Sequence, residues 1–535
     1  MDFGGGQGGE ACASPQRADC LRAAHVNSRQ LTGRGLGSQQ AEPTLANAKR
    51  RAAGPLSIFR QALNHRLLGA LAGLLAVSQM VCPAQSAVQV QLSPSAPGTA
   101  IAPDYVGLSF EMQRVLAGTN GAHYFSATNR ALIATFQTLG IKNLRVGGNT
   151  ADRPTLPIPT TDDVDNLFAF AQAAGVKVIF TLRLREGSLA AATQMANYIT
   201  RHYAPLLDCF AIGNEPNVFS KEYAPYLAEW KIYAAQITAP TNSPGTTFCG
   251  PSTSPGHETW SRDFANEFGS HGPLAFIAQH DYPGGDARRA TNAAVARDKI
   301  LAAAMDDHYA KFASHFVPAV LSNSLPYRLE EANSFYDGGA PDVSDTFASA
   351  LWALNYQWWW AAHGASGINF HTGDKVAARD ENKPCRYAVF WTTPNGYNIH
   401  PIGYALKLFS LGSQGRLVPA TVTRADDLNL EVYAAAADGK GVCVTLINQE
   451  HGPGARAAEI TLLPGLANAH GEVLLLSAPD GDIATKTGVT LGGAEILNDA
   501  TWDGQWTPLP AATDGGKFTL HLPVASAALV RFSVK

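Results

Sequence analysis

The 535-residue sequence predicts an α/β fold, a (β/α)8 barrel followed by a β-sandwich, and three observations carry that expectation. From Tyr105 onward, short continuously apolar runs alternate with helical stretches, the pattern of parallel strands covered by helices. Eight such runs can be counted within about 300 residues, the number a closed barrel needs. Beyond Leu408 helical periodicity gives way to short strands divided by turn signals, which reads as an all-β sandwich.

In chain order the eight runs are VGLSFE from Val106, NLRVGGN from Asn143, KVIFTL from Lys177, CFAIGNE from Cys209, TFCGPS from Thr247, FIAQHDY from Phe276, YRLEEAN from Tyr327 and GINFHTG from Gly367. Nearly all finish in polar, acidic, aromatic or glycine residues. In a barrel the carboxyl ends of the strands form the active face, so these groups are expected to converge on one basin. The helix after the seventh run is expected to start near Ser344, with Ser344 and Asp345 as caps. Its tryptophans, Trp352 and Trp358 to Trp360, read as packing residues. The alternating strand VQVQLS at Val88 is expected to join the sandwich. The expected organisation is therefore an N-terminal extension over 1–66, a signal peptide over 67–87, an N-terminal sandwich strand over 88–103, the barrel over 104–407 and the sandwich over 408–535.

Composition narrows the function classes. With 46% hydrophobic and 16% charged residues the chain is globular. Residues 1–66 hold nine basic and four acidic side chains, so the formal charge of −4 becomes about −9 for the remainder. Such a surface argues against nucleic acid as a partner. The uncharged run LLGALAGLLAVSQMV from Leu67 to Val81 follows Arg60 and Arg66 and precedes small residues, the order of a secretory signal peptide. A secreted or periplasmic protein is expected, with membrane association only if that segment is retained as an anchor. Of the four cysteines downstream, Cys209, Cys249, Cys385 and Cys443, the pair on neighbouring strands, Cys209 and Cys249, is the best disulfide candidate, with buried free thiols an equal alternative. His257-Glu258 lacks the second histidine of a zinc protease, and no P-loop, GxSxG elbow or calcium loop occurs, so no metal or cofactor is expected.

The chemistry points to paired carboxylates. Glu215 follows Asn214 at the end of the fourth run and precedes Pro216, which stops the strand. At the seventh run Glu330 and Glu331 are adjacent. Because strand side chains alternate, only one of them is expected to face the basin, with the choice open, and Arg328 is a plausible support for the other. Carboxylates from the fourth and seventh strands can approach to roughly 5–5.5 Å, the separation for retaining glycoside hydrolysis. Glu215 is assigned as acid/base and the seventh-strand glutamate as nucleophile. Asn214 is placed to bond a sugar 2-hydroxyl, and Tyr282, ending the sixth run, to donate to the nucleophile.

GLSFE at Gly107 to Glu111, RVGGN at Arg145 to Asn149, IGNEP at Ile212 to Pro216 and EANSFYDGGAPDVSDTF at Glu331 to Phe347 resemble glycoside hydrolase family 79, the β-glucuronidases and heparanases of clan A. The resemblance extends through the sandwich, with TWDGQW at Thr501 to Trp506. It implies that Glu331 is the nucleophile and that a glucuronate carboxylate is held by Tyr336 and the backbone of Gly338 and Gly339, with Tyr387 added from the loop after the eighth strand. It also implies sugar contacts from Glu111 and Asn149. Asp337 departs from the pattern, since some relatives carry glycine there. The partner expected is a glycan or glycoconjugate containing glucuronic acid, cleaved in exo fashion. The alternatives are an endo-acting, heparanase-like enzyme and a non-catalytic carbohydrate-binding protein.

Overall fold

The computed structural model describes residues 86–534, apart from 377–379, 425–426, 438–440 and 512–515. The extension, the apolar run at Leu67–Val81 and most of the expected signal peptide lie outside the described residues. Ser86 and Ala87, the last two residues of that expected segment, open the first strand, β1 (Ser86–Leu92).

Eight parallel strands close into a barrel: β2 (Val106–Glu111), β3 (Asn143–Gly147), β4 (Lys177–Leu182), β5 (Leu207–Ile212), β6 (Phe248–Thr253), β7 (Leu274–Asp281), β8 (Tyr327–Ala332) and β9 (Ile368–His371). They coincide with the eight apolar runs. The strands are apolar along their length because one face meets the helices and the other fills the barrel. Small side chains, Cys209, Ala211, Cys249 and Ala278, occupy the middle of the barrel with Ile179 and Phe276. A polar layer closes its amino-terminal end. There Arg328 donates to Asn369 at 2.6 Å and lies 3.5 Å from Asp104, while Asn143 donates to Asp208 at 2.8 Å. Arg328 therefore belongs to this lower layer and does not support Glu330 as expected.

The sandwich takes in β1, which lies between Ala420–Arg424 and Ala458–Leu463 in a four-stranded sheet. Its alternation is legible in burial: Val88, Val90 and Leu92 enter the sandwich core while Gln89 and Gln91 face out. The facing seven-stranded sheet presents Ala435, Ile447, Leu474 and Leu529 to the barrel helices, so barrel and sandwich share one apolar cluster. Trp358 of the helix Phe347–Ala362 stacks on Tyr433 with ring centroids 5.6 Å apart. The tryptophans of that helix are buried packing residues.

Three expectations are corrected. The last barrel helix runs Pro401–Gly412, so the boundary placed at 407/408 falls inside it; its apolar face continues to Gly412, where an added Cβ would stand 2.7 Å from Leu529. The helix expected from Ser344 begins at Phe347 after Thr346. Ser344 and Asp345 are engaged elsewhere: the Ser344 hydroxyl accepts from the Ala340 amide, and Asp345 pairs with Lys486 at 3.0 Å. Cys209 and Cys249 are buried free thiols, as are the other two cysteines free, and the Cys249 thiol donates to Glu330 at 3.3 Å instead of forming a bridge.

Candidate active site

The local fold aims the carboxylates. After β5 the chain turns at Gly213 (φ 82°), and Glu215 itself is left-handed (φ 45°), a conformation that costs a non-glycine residue about 1–2 kcal/mol. The turn is held on both sides. The Glu215 amide donates to the Ser252 carbonyl at 2.9 Å, and buried Asp152 accepts from the amides of Asn214, Leu184 and Arg185 at 2.6, 2.7 and 2.9 Å.

On β8 the expected alternation fails. Against β7 the register passes from Ala278↔Arg328 to His280↔Glu331, and against β9 from Leu329↔Ile368 to Ala332↔Phe370. Each neighbour advances two residues while β8 advances three, so β8 carries a bulge at Leu329–Glu331. Leu329 packs with the helices, and both glutamates face inward. Glu331 lines the cavity and Glu330 points inward beneath it, so the expectation that the second acid turns to the outer side of the strand is overturned.

Glu331 is gripped closely. Arg145 of β3 donates to its Oε2 at 2.5 Å and the Tyr282 hydroxyl to its Oε1 at 2.9 Å. His371 Nδ1 lies 3.8 Å away. Burial opposes ionisation, but the cations His371, His280 and Arg145, with the Arg145 hydrogen bond, hold this carboxyl well below the usual range. The same guanidinium donates to Asn214 Oδ1 at 2.6 Å and Ser109 at 3.0 Å.

Glu215 faces Glu331 across His280. Its Oε1 stands 3.1 Å from His280 Nδ1, which is 3.9 Å from Glu331 Oε1, and one donor atom from each of the three residues falls within 4.8 Å of the other two. A set of two carboxylates and an imidazole invites comparison with a divalent-cation site. Here the Arg145 guanidinium already occupies Glu331, and a second positive centre beside it would be repelled. Burial works against charging His280, but Glu331, Glu215 and Glu330 outweigh it and push the imidazole up to about 9.

These groups open into a cavity of about 350 Å³, within the range of small-ligand sites. Of the sequence-predicted residues, Glu111, Asn149, Glu215, Tyr282, Glu331, Tyr336, Gly338 and Tyr387 line it. Asn214 and Gly339 do not. Asn214 is buried beneath Arg145, and Gly339 packs so that a Cβ would fall 2.6 Å from the Tyr387 amide nitrogen. Glu111 accepts from the Thr150 amide and hydroxyl at 2.8 and 2.7 Å, which fixes it in the cavity wall. Asp337 (φ 66°) turns toward Lys383 at 3.4 Å and Arg288 at 3.7 Å, so its charge is compensated at the cavity edge.

No family model matches the chain. The chain is similar to a fungal β-glucuronidase. The match is to the enzyme of Aspergillus niger, 26% identical over 129 residues, which is 24% of this chain and 21% of that one. The matched stretch thus spans about a fifth of that relative's length. Among solved structures, a 4-O-α-L-rhamnosyl-β-D-glucuronidase from Fusarium oxysporum 12S superposes with a TM-score of 0.63 at 19% identity, over 83% of this chain and all of that one. A family 51 arabinofuranosidase from Xanthomonas axonopodis pv. citri gives 0.62 at 15% identity, over 84% of this chain and all of that one. At these identities the likeness is one of fold, a barrel with a β-sandwich.

Arg145, His280 and His371 were not singled out as functional from sequence, and Glu330 was weighed there only as the alternative to Glu331. The available signal was charge in the wrong place: an arginine inside the apolar run NLRVG, and ionisable residues within two other strands.

Proposed function

We propose that the protein is a retaining β-glucuronidase of the family 79 type, acting on terminal β-linked glucuronic acid of glycans or glycoconjugates. The observation that carries the mechanism is the approach of Glu215 and Glu331 to within 4.8 Å over one cavity. Retaining enzymes hold their carboxyl groups about 5–5.5 Å apart, whereas inverting enzymes leave roughly 6.5–9.5 Å for a water. Glu331, ionised by Arg145 and Tyr282, attacks the anomeric carbon as Glu215 gives its proton to the departing oxygen. Water then adds to that carbon, Glu215 takes its proton, and the bond to Glu331 breaks. The similarity to the fungal β-glucuronidase supports glucuronate as the sugar. Tyr336 and Gly338 at the cavity edge supply neutral donors for its carboxylate. The leaving group then points toward Glu215, where Val218, Ser254 and Pro255 form an uncharged rim suited to a neutral aglycone. Export remains part of this reading, on the strength of the apolar run at Leu67–Val81.

Two variants separate the roles. Glu331→Ala abolishes turnover of an aryl β-glucuronide in a folded protein; retained activity removes Glu331 as nucleophile. Glu215→Ala keeps part of its rate on nitrophenyl glucuronide, whose leaving group needs no proton, and loses far more on a natural linkage. Equal losses on both contradict the acid role. Proton NMR of the first product formed, β before mutarotation, checks retention.

A further inference from the structure

The β8 bulge delivers a second carboxylate that the double displacement does not use. The Glu330 side chain is wholly buried beneath Glu331. Its Oε2 accepts from the Cys249 thiol at 3.3 Å, while its Oε1 has no hydrogen-bond partner. His280 Nε2 is likewise without a hydrogen-bond partner, and these two atoms face each other at 3.6 Å. The other ring nitrogen, Nδ1, is the one that meets Glu215 at 3.1 Å.

We infer that Glu330 is a positioning residue that acts through His280: it keeps a proton on Nε2, so the ring stays an imidazolium whose Nδ1–H donates to Glu215. The inference rests on the reading of Glu215 as acid/base. The groups facing His280 are Glu215 after β5, Glu330 and Glu331 on β8, with Arg145 of β3 and the Tyr282 hydroxyl bonded to Glu331 and Cys249 of β6 to Glu330. Without Glu330 the buried cations Arg145 and His280 would have Glu331 alone beneath the sugar. With it, a second carboxylate faces them, and the Glu330 carboxyl is itself drawn down to about 2, against the cost of burial, by Arg145 and His280. The imidazolium Nδ1–H meets Glu215 Oε1 at 3.1 Å and so fixes the direction of that carboxyl group in both halves of the reaction.

The sign of the test follows. Glu330→Gln removes the carboxylate that faces Nε2, so His280 gives up its proton at lower pH and an imidazolium is no longer held beside Glu215. For an aryl β-glucuronide kcat is expected to fall with KM little changed, and the fall to deepen above the pH at which His280 of the variant loses its proton. In 15N spectra of the imidazoles, His280 of the unaltered enzyme is expected to carry protons on both nitrogens at pH 8, and in Glu330→Gln to titrate at least one unit lower. Glu330→Asp is expected to restore the doubly protonated ring in part. A variant that loses thermal stability while its His280 titration and pH profile stay those of the parent overturns the inference and leaves Glu330 a packing residue. If Glu330→Gln does not fold, the spectrum of the unaltered enzyme decides alone: a neutral His280 at pH 8 overturns the inference. That spectrum needs no turnover, so its failure is distinguishable from failure of the hydrolase reading, which the Glu331 and Glu215 variants test.

Discussion

A single guanidinium sets the state of Glu331, the proposed nucleophile. Arg145 is fully buried, and its three hydrogen bonds tie β3 to Glu331, Asn214 and Ser109, so one side chain fixes both Glu331 and the residue preceding Glu215. The motif around it was legible, but its function was not, because a buried arginine in an apolar strand has no partner visible in sequence. Removing it as Arg145→Met leaves Glu331 paired only with Tyr282 and the two histidines. An opposite charge at contact lowers a carboxyl pKa by about 1–3 units, so the acid limb of kcat/KM should rise by about one unit and kcat fall at least about 100-fold. A pH–rate profile reads both. Tyr282→Phe removes one hydrogen bond to the same carboxylate. Such a bond to a charged group is worth about 1.5–3 kcal/mol, so about a tenfold or greater loss in kcat is expected, with folding unchanged.

At the scale of elements, the strand ends were legible and the strand interiors less so. Gly-Asn-Glu-Pro after β5 announces a turn whose carboxylate stands at the barrel mouth. The β8 bulge announces nothing, because two adjacent glutamates fit either phase of a period of two, and one inserted residue changes no composition. Cys249 was open between a bridge and a buried thiol for a related reason: adjacent strands allow the bridge, while the acid the bulge brings inward takes the thiol. The turn Tyr336–Gly339 was read correctly as glycine-rich, yet Gly339 acts by packing. It is left-handed (φ 87°), and its missing Cβ makes room for the Tyr387 backbone, which places Tyr387 in the cavity. Gly339→Ala meets a backbone atom at 2.6 Å as well as an unfavourable φ, so a loss of about 1–2 kcal/mol in denaturant unfolding is expected. Displacement of Tyr387 should raise KM for an aryl glucuronide more than it lowers kcat. An unchanged KM would show that Tyr387 does not touch the sugar.

Over the whole molecule, eight apolar runs sufficed for the barrel, since each strand's burial is a local property of the sequence. The pairing of barrel with sandwich was less visible, because the shared cluster joins residues more than a hundred positions apart, and so was the ionisation balance that the assembly creates. That balance predicts a pH dependence of stability. His280 rises from about 6.5 to about 9, so its contribution is complete below about pH 6.5 and is lost as pH climbs through 9. Asp281, raised to about 7 by burial, adds a penalty that grows as pH rises from about 4 to 7. Asp306, raised by burial and Asp307, and Glu431, raised by burial and Asp306, act in the same direction. Two groups oppose them. Burial lowers His400 to about 4 and Lys407 to about 8, which favours the fold as pH rises toward 6.5 and from about 8 to 10 respectively. Between pH 5.5 and 9 the raised groups outnumber these two, and Glu330 and Glu331, with lowered values, remain ionised throughout. Thermal unfolding should therefore show a higher midpoint at pH 5.5 than at pH 9. In Glu330→Gln, whose His280 has less to lose, the difference should narrow, and a midpoint that does not fall by pH 9 in the unaltered protein would mean that the buried imidazolium is absent.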